Sequence, residues 1–393
     1  MTEILRVAAR GDGVTADGRH AAFAAPGDML TDDGVVVPGP HHQVPPCIHF
    51  PACGGCQLQH LDDAAYAAFV TDRVFSALDG QGLSAPMRPP LVSPPRTRLR
   101  ATLHADGKGG RITLGFTEQE SHSIVDMKMC EILHPALFAL VAPLRGLLRQ
   151  LGLRRRADIH LALIDQGPDV LVSGIAAEGL AAAEAINAFC ERHGVARFAI
   201  DDGMGPETRW EPDAATITLG GVPVPFPPAA FLQATGEGEA ALVAAMREAV
   251  SGAATVADLF AGLGTFALAL PGKIYAAEGA RDALYALKAA AGRARRPVFP
   301  EHRDLYRRPL TTAELDRFDA VIIDPPRSGA REQIEAMAAT KAPVIGYVSC
   351  NPGSFARDAK ILCEAGWTLD WVQPVGQFRW STHVELASRF VRA

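Results

Sequence analysis

No stretch of the chain is apolar over the roughly 20 residues that a membrane helix requires. Nothing at its start has the charge, apolar core and small-residue order of a secretory leader. A membrane or exported protein is therefore not expected, and the reading is cytoplasmic. Positive charge is not in excess: 38 Lys and Arg stand against 44 Asp and Glu, a formal net charge of −6. That excludes a chain basic over its whole surface, so a nucleic-acid partner must be met by local patches. Cysteine is sparse, with seven in 393 residues. An odd number without an export signal argues for reduced thiols that act as ligands or nucleophiles rather than as disulfides. What the chain does have is apolar content: 48% of its residues are hydrophobic, enough core for two or three domains. No feature signals self-association, so a monomer is expected.

The stretch Gly346-Tyr347-Val348-Ser349-Cys350-Asn351-Pro352 organises the rest. Ala342 to Val348 is a short apolar, β-branched run bounded by Pro343, the pattern of a strand buried in a parallel sheet. Cys350 lies just past its carboxyl end, the edge at which open α/β sheets bind ligands. Asn351-Pro352-Gly353-Ser354 then reads as a turn into a helix over 355–364. A cysteine flanked by apolar residues is by itself most often a small core residue, but the residues around Cys350 argue otherwise. From about residue 226, strands and helices alternate, which predicts a doubly wound, mostly parallel sheet. Thr255 to Leu259 leads into AGLGTFALAL, a glycine-rich turn expected to open a helix, where Gly262 and Gly264 let the backbone approach a ligand. Glu278 ends the next strand, Lys273 to Ala277, about 20 residues after Asp258, where an acid suits ribose hydroxyls. Asp304 ends a third strand, in position for an adenine amine. The fourth, Ala320 to Ile323, ends in Asp324-Pro325-Pro326-Arg327, whose prolines fix a rigid loop. Each acid alone reads as a helix cap or a surface charge; their succession at the strand ends makes a cofactor edge.

Upstream, Cys47, Cys53 and Cys56 stand in CIHFPACGGCQLQH with Gly54 and Gly55 between the last two. Such close clustering is a metal-ligand arrangement. Cys130, in DMKMCEIL, is the best fourth ligand, because Cys190 and Cys363 fall in helical patterns. Four thiolates suit either a [4Fe-4S] cluster or an all-cysteine zinc site. A fully ligated cluster leaves no iron open to substrate, which makes its role structural. Residues 1–44 are turn-rich with short β-like runs, enough for a few strands of a small barrel. A helical period covers 61–78, with Asp62 or Asp63 near its start. Arg98 to His104 and Arg111 to Phe116 read as a hairpin, followed by a helix from Pro135 to Leu151, two strands around Gly167-Pro168, a helix from Leu180 to His193 and a strand from Ala196 to Asp201. Arg96, Arg98, Arg100, Lys108 and Arg111 crowd the hairpin, as either a solvated face or a phosphate-binding surface. The Pro-rich stretch Gly221 to Pro228 reads as a boundary. The expected organisation is a β segment over 1–44, an α+β domain over 45–225, whose helix over 61–78 is a candidate to pack on the last domain, and an α/β domain over 226–393.

CIHFPACGGCQLQH with Cys130, FLQATGEG, DLFAGLGTF, DPPRSG, VSCNP and STHVE together resemble the motifs of the S-adenosylmethionine-dependent RNA uracil-5 methyltransferases. Within that family they resemble the branch that carries an iron-sulfur cluster and modifies 23S ribosomal RNA. The resemblance covers nearly all of the chain beyond its first 44 residues. It implies a Rossmann-like class I methyltransferase domain over 226–393 and a [4Fe-4S] cluster on Cys47, Cys53, Cys56 and Cys130. It implies a methyl-donor site lined by Gln233, Phe260, Thr265, Glu278, Asp304 and Asp324 beside the glycine-rich turn, with Cys350 as nucleophile and Glu385 as base. Residues 1–44 look like only the first half of the TRAM-type RNA-binding barrel that such proteins often carry.

The chemistry follows from the substrate class. Carbon 5 of uracil is too weak a nucleophile to attack a methylsulfonium unaided. A thiolate adding to carbon 6 makes carbon 5 enolate-like; after methyl transfer a base removes the carbon 5 proton and the cysteine leaves. A free cysteine has a pKa of about 8.5, so a positive group is expected near Cys350, with Arg327 and Arg379 as candidates. The target base must be unstacked, and Phe378 and Trp380 either stack on its neighbours or belong to the core. Cytosine-5 methylation would place its cysteine in the loop where Asp324-Pro325-Pro326-Arg327 stands, and amine methylation would favour an aromatic in place of Arg327. The rivals left are a transfer-RNA substrate and, from another class, a non-catalytic iron-sulfur RNA-binding or redox-sensing protein. The second gives Cys350 and Glu385 no role.

Overall fold

The structure, a computed structural model, describes residues 1–392. An eight-stranded sheet carries the C-terminal half in the order Val298–His302, Lys273–Glu278, Thr255–Leu259, Ala320–Ile323, Val344–Ser349, Glu385–Arg392, Trp367–Gly376, Leu91–Val92. The first five are parallel, and Glu385–Arg392 runs antiparallel to Val344–Ser349. These are strands because apolar, β-branched residues cover both faces: Ala320, Val321, Ile322 and Ile323 are each 0% exposed. Only a central strand sandwiched by helices takes such a sequence. Helices Arg281–Arg293, Arg331–Ala338 and Pro352–Glu364 make the crossovers, so the domain is an α/β fold of the class I methyltransferase type.

Register aligns the strand ends that matter. Leu259 pairs with Ala277 on one side and Ile323 on the other, and Ile323 pairs with Tyr347. The residues that follow, Phe260, Glu278 and Asp324, therefore share one edge with the Ser349-Cys350 turn. AGLGTFALAL does not form a regular helix but a chain of turns. Phe260, Gly262 and Gly264 hold φ of 64°, 55° and 96°, which interrupts the α conformation a helix start needs.

Helix Asp63–Asp79, capped by the Asp62 carboxylate accepting from Ala65 N at 2.7 Å, packs its Tyr66, Phe69, Val70, Val74 and Leu78 into the core under the catalytic sheet. Residues from the first quarter of the chain thus complete the catalytic layer, as does the edge strand Leu91–Val92. A six-stranded sheet forms the middle of the chain, in the order Glu207–Trp210, Arg197–Asp201, Gly167–Ser173, Arg156–Ile164, Arg100–Asp106, Thr113–Gly115. The expected helix from Pro135 to Leu151 is two, Pro135–Phe138 and Val141–Gln150. Pro143 has no N–H to continue the first and fits the opening turn of the second. The Pro-rich stretch holds a strand, Val222–Pro225, paired with Thr216–Leu219 and packed against the crossover helix Arg281–Arg293. Residues 1–44 form a five-stranded antiparallel sheet with its own small core of Ile4, Ala21, Ala24 and Leu30. Among the described residues no helix is long and apolar enough to cross a membrane.

Candidate active site

Antiparallel register builds the centre. Ser349 pairs with Leu386, so the next residue outward on one strand, Cys350, faces the next outward on the other, Glu385. The turn after Cys350 is fixed by Asn351, whose side chain caps helix Pro352–Glu364 by accepting from Gly353 N at 3.0 Å and donates to Arg327 O at 3.0 Å. The second bond ties the cysteine turn to the Asp-Pro-Pro-Arg loop.

Glu385 is only 4% exposed. Its partner is Gln377, whose side-chain amide donates both to Glu385 Oε2 and to Gln233 Oε1, the latter at 2.8 Å. The Gln377 oxygen accepts from Ala234 N at 2.9 Å. One buried glutamine thus joins the FLQATGEG loop to the acid. Gly238 makes room for it: a Cβ there would stand 2.6 Å from Gln377 Cβ. The sequence carries no signal for this role, because a lone glutamine has no pattern of its own.

Cys350 and Glu385 open into a cleft of about 630 Å³, within the range of small-molecule sites. Gln233, Phe260, Gly262, Glu278 and Asp324 line it as well. Glu278 accepts from Gly262 N at 2.8 Å and from Ala280 N at 2.6 Å, holding the glycine-rich turn in place. Gly264, Thr265 and Asp304 do not line the cleft. Gly264 lies beneath the turn, where a Cβ would meet Leu287 Cδ1 at 2.4 Å. Asp304 is exposed and accepts from the backbone of Tyr306 and Arg307 at 3.0 and 3.3 Å.

Acids line the cleft, Glu385 among them buried. Burial raises Glu385 to about 8, helped by the nearby Asp324 carboxylate and opposed by Gln377 and Arg100. Burial also lifts Asp324 to about 7. Asp258, one strand residue before the glycine-rich turn, is 0% exposed, and neither of its oxygens has a partner. Burial, then Asp324, raises it to about 8. Burial pushes the Cys350 thiol up to about 11, with Glu385 and Asp324 adding to the rise and Arg327 opposing it. Of the two expected cations, then, Arg327 acts on Cys350. Arg379 is paired with Asp63, its guanidinium 4.8 Å from the Trp380 ring. Arg100 is the cation the sequence placed elsewhere, in the basic hairpin. It donates to Leu232 O and lies 4.4 Å over Phe231. Burial and then Arg98 lower it to about 10, while Glu385 and Cys350 hold it up. Trp380, 4% exposed, is core and not a stacking surface; Phe378 is half-buried.

Cys47, Cys53, Cys56 and Cys130 line one cavity, together with apolar side chains such as Phe116 and Met129 and with His49, Gln59 and Glu131. Burial raises Cys56 to about 12 and Cys130 to about 11, and the neighbouring thiols add to both rises. Gly54 is required by packing, since a Cβ would meet Thr117 O at 2.8 Å, and a Cβ at Gly55 would press on the Phe116 ring at 3.1 Å. All seven cysteines are free, and Cys190 and Cys363 lie on helices away from this cavity. Among the described residues no three His, Cys, Asp or Glu side chains converge as a single ion needs.

No family model matches the chain. An uncharacterized RNA methyltransferase of Zymomonas mobilis is 50% identical over 396 residues, covering 100% of both chains. One from Caulobacter vibrioides is 37% identical over 408 residues, covering 98% of each. The 23S rRNA (uracil(1939)-C(5))-methyltransferase of Pectobacterium atrosepticum is 27% identical over 372 residues, 91% of this chain and 82% of that one. In fold, the chain is similar to the Pyrococcus abyssi tRNA (uracil-54, C5)-methyltransferase solved with S-adenosyl-L-homocysteine: TM-score 0.75 at 20% identity, covering 100% of both chains. The chain belongs to the RNA methyltransferases, the family whose S-adenosylmethionine-dependent uracil-5 members its motifs resemble.

Proposed function

We propose that the chain forms 5-methyluridine in 23S ribosomal RNA. The observation that carries the reading is the opposition of Cys350 and Glu385 across one strand pair, both opening into one cleft. Cys350 adds through sulfur to carbon 6 of a flipped uridine, which gives carbon 5 the electron density of an enolate. After methyl transfer, Glu385 takes the proton from carbon 5, the carbon 5–carbon 6 double bond re-forms and the Cys350 thiolate leaves. Gln377 holds the Glu385 carboxyl where that proton departs. S-adenosylmethionine, when bound, supplies the methyl group as a sulfonium.

Gln233, Phe260, Gly262, Glu278 and Asp324 would hold the donor. An acid-lined cleft suits a cation, and a cation there favours the charged forms of Glu385 and Cys350, opposing the burial that raises both. Gly264 and Thr265 serve by shaping the turn, and Asp304 by capping its own loop. At the second site Cys47, Cys53, Cys56 and Cys130 would hold a [4Fe-4S] cluster. Four thiols lining one cavity support this reading. A cluster fully ligated by protein would supply structure and charge rather than an open iron.

The test is transfer of labelled methyl to unmodified 23S ribosomal and transfer RNA transcripts, followed by nucleoside analysis. Label in 5-methyluridine of the 23S transcript is expected. Label only in transfer RNA moves the substrate, and label in another nucleoside, or none, overturns the reaction.

A further inference from the structure

Phe231 is an exposed aromatic on a fixed mount. Leu232, Gln233, Ala234 and Thr235 are all buried, but Phe231, which leads into them, is 60% exposed and lines the same cleft as Cys350 and Glu385. A single exposed aromatic means little by itself. Here the backbone on either side is held. Leu232 O accepts from the Arg100 guanidinium, Ala234 N donates to Gln377 Oε1 at 2.9 Å, and Ala234 O accepts from Leu99 N at 2.8 Å. Before the ring, Ala230 N donates to Pro227 O at 3.1 Å and closes a turn in which Ala229 holds φ of 56°.

The ring is also backed by charge. The Arg100 guanidinium lies 4.4 Å from its centroid, a cation–π contact that occupies one face and steadies the ring. A cation at this point suits a polyanionic chain and disfavours a sulfonium. Phe231 therefore fits RNA rather than the methyl donor, for which the acids Glu278 and Asp324 of the same cleft are the match. Which base it takes follows from the reaction. Sulfur approaches carbon 6 from one face of the uracil ring and the methyl group reaches carbon 5 from outside the plane, so a platform lying over that ring would obstruct the chemistry. Depth agrees: Glu385 is buried and Phe231 is exposed, which puts the reacting base below the rim and its neighbour in the chain at it.

We infer that Phe231, backed by Arg100, is the platform on which the base next to the flipped uridine stacks. This rests on the reading of the chain as an RNA uracil-5 methyltransferase. A neighbouring base held on Phe231 no longer stacks on the uridine, which offsets part of the cost of drawing the uridine into the cleft. Every base has a face to stack with, so the platform demands a base at that position without choosing which.

With the methylated uridine mapped, transcripts are made with an abasic site directly before or directly after it. Their dissociation constants are measured with the full-length wild type, Phe231→Ala, Phe231→Leu and Phe231→Trp. For wild type, one of the two abasic transcripts is expected to bind about tenfold more weakly than the intact one, whereas exchanging that base for another should change binding less than about threefold. Phe231→Ala should bind the intact transcript about tenfold more weakly and lose less than about twofold further on the abasic one, because both changes remove the same contact. Phe231→Trp should restore binding and Phe231→Leu should not, while S-adenosylhomocysteine binds all four proteins within about twofold. Losses that add, equal rescue by leucine, a loss confined to S-adenosylhomocysteine, or a wild type indifferent to both abasic sites overturns the platform while the reaction stands. A wild type that methylates no transcript overturns the reaction and the platform together.

Discussion

Glu385 reaches Cys350 by strand register alone: pairing of Ser349 with Leu386 leaves the acid and the thiol at the facing ends of two antiparallel strands. No loop has to fold back to bring them together. The consequence is that their roles separate cleanly by substitution. Cys350→Ala should show no methylation while S-adenosylhomocysteine binds within about twofold of wild type, since the thiol is not among the residues proposed to hold the donor. Glu385→Gln should accumulate a covalent protein–RNA adduct, visible on a denaturing gel, because addition and methylation proceed without removal of the carbon 5 proton. Turnover by Cys350→Ala would sink the nucleophile role.

Gln377 is the second lever. Gln377→Leu keeps the volume but leaves the Glu385 carboxyl and the Gln233 side chain without their shared partner. A hydrogen bond to a charged group is worth about 1.5–3 kcal/mol, so kcat should fall roughly tenfold to a hundredfold. KM for RNA should change little. A rise in KM with kcat intact would show that the residue shapes binding instead.

Stability of the ligand-free protein should fall as pH rises. Glu385 and Asp258 are raised to about 8 and Asp324 to about 7, against about 4 for such groups in an unfolded chain. Between those limits the folded protein binds more protons than the unfolded one, and stability drops with pH. What these acids contribute is fully present below about pH 4 and is lost by about pH 8. Glu314, lowered to about 2 by Arg303, acts oppositely on the acid side of that window, and His60, lowered to about 4 by burial, offsets part of the fall below about pH 6.5. Melting temperature should therefore decline from about pH 5 to about pH 8.5, and less steeply in Asp258→Asn, which has no proton to lose there. A flat or rising wild-type profile would contradict the buried acids.

Gly264→Ala tests the packing under the cofactor turn. The residue holds φ of 96°, and a Cβ would stand 2.4 Å from Leu287 Cδ1. Strain and overpacking together should lower unfolding free energy by about 2–4 kcal/mol, read from urea midpoints. A shift under about 0.5 kcal/mol would mean that the turn relaxes freely.

The sheet was legible in the sequence where burial on both faces makes a strand a continuous apolar run, as in Thr255–Leu259 and Ala320–Ile323. Helix Leu180–His193 was legible because Gly194 stops it in the left-handed region. Periodicity gave helix Asp63–Asp79 its apolar face, and the catalytic domain was a candidate partner, but which residues cover that face was not legible, since they lie about 300 residues away in sequence, beyond the reach of local pattern. Gln377 and Arg100 were hidden for the same reason: each meets partners more than a hundred residues distant. AGLGTFALAL has helix-like composition, and only the backbone angles of Phe260 and its glycines reveal the chain of turns. Trp380 stayed open between stacking and core because aromatic type says nothing of burial.

That the edge strand Leu91–Val92 belongs to a sheet built from the last third of the chain has a consequence for synthesis. On the ribosome this strand and the helix before it emerge early and must wait, their partners unmade, until the strand Trp367–Gly376 appears near the end. Pairing across such separations is slow to close, and the waiting apolar face is a natural client for chaperones. A gene fragment beginning at residue 226 would never receive that strand, and Trp367–Gly376 would be left as a bare edge open to pairing with its own copies.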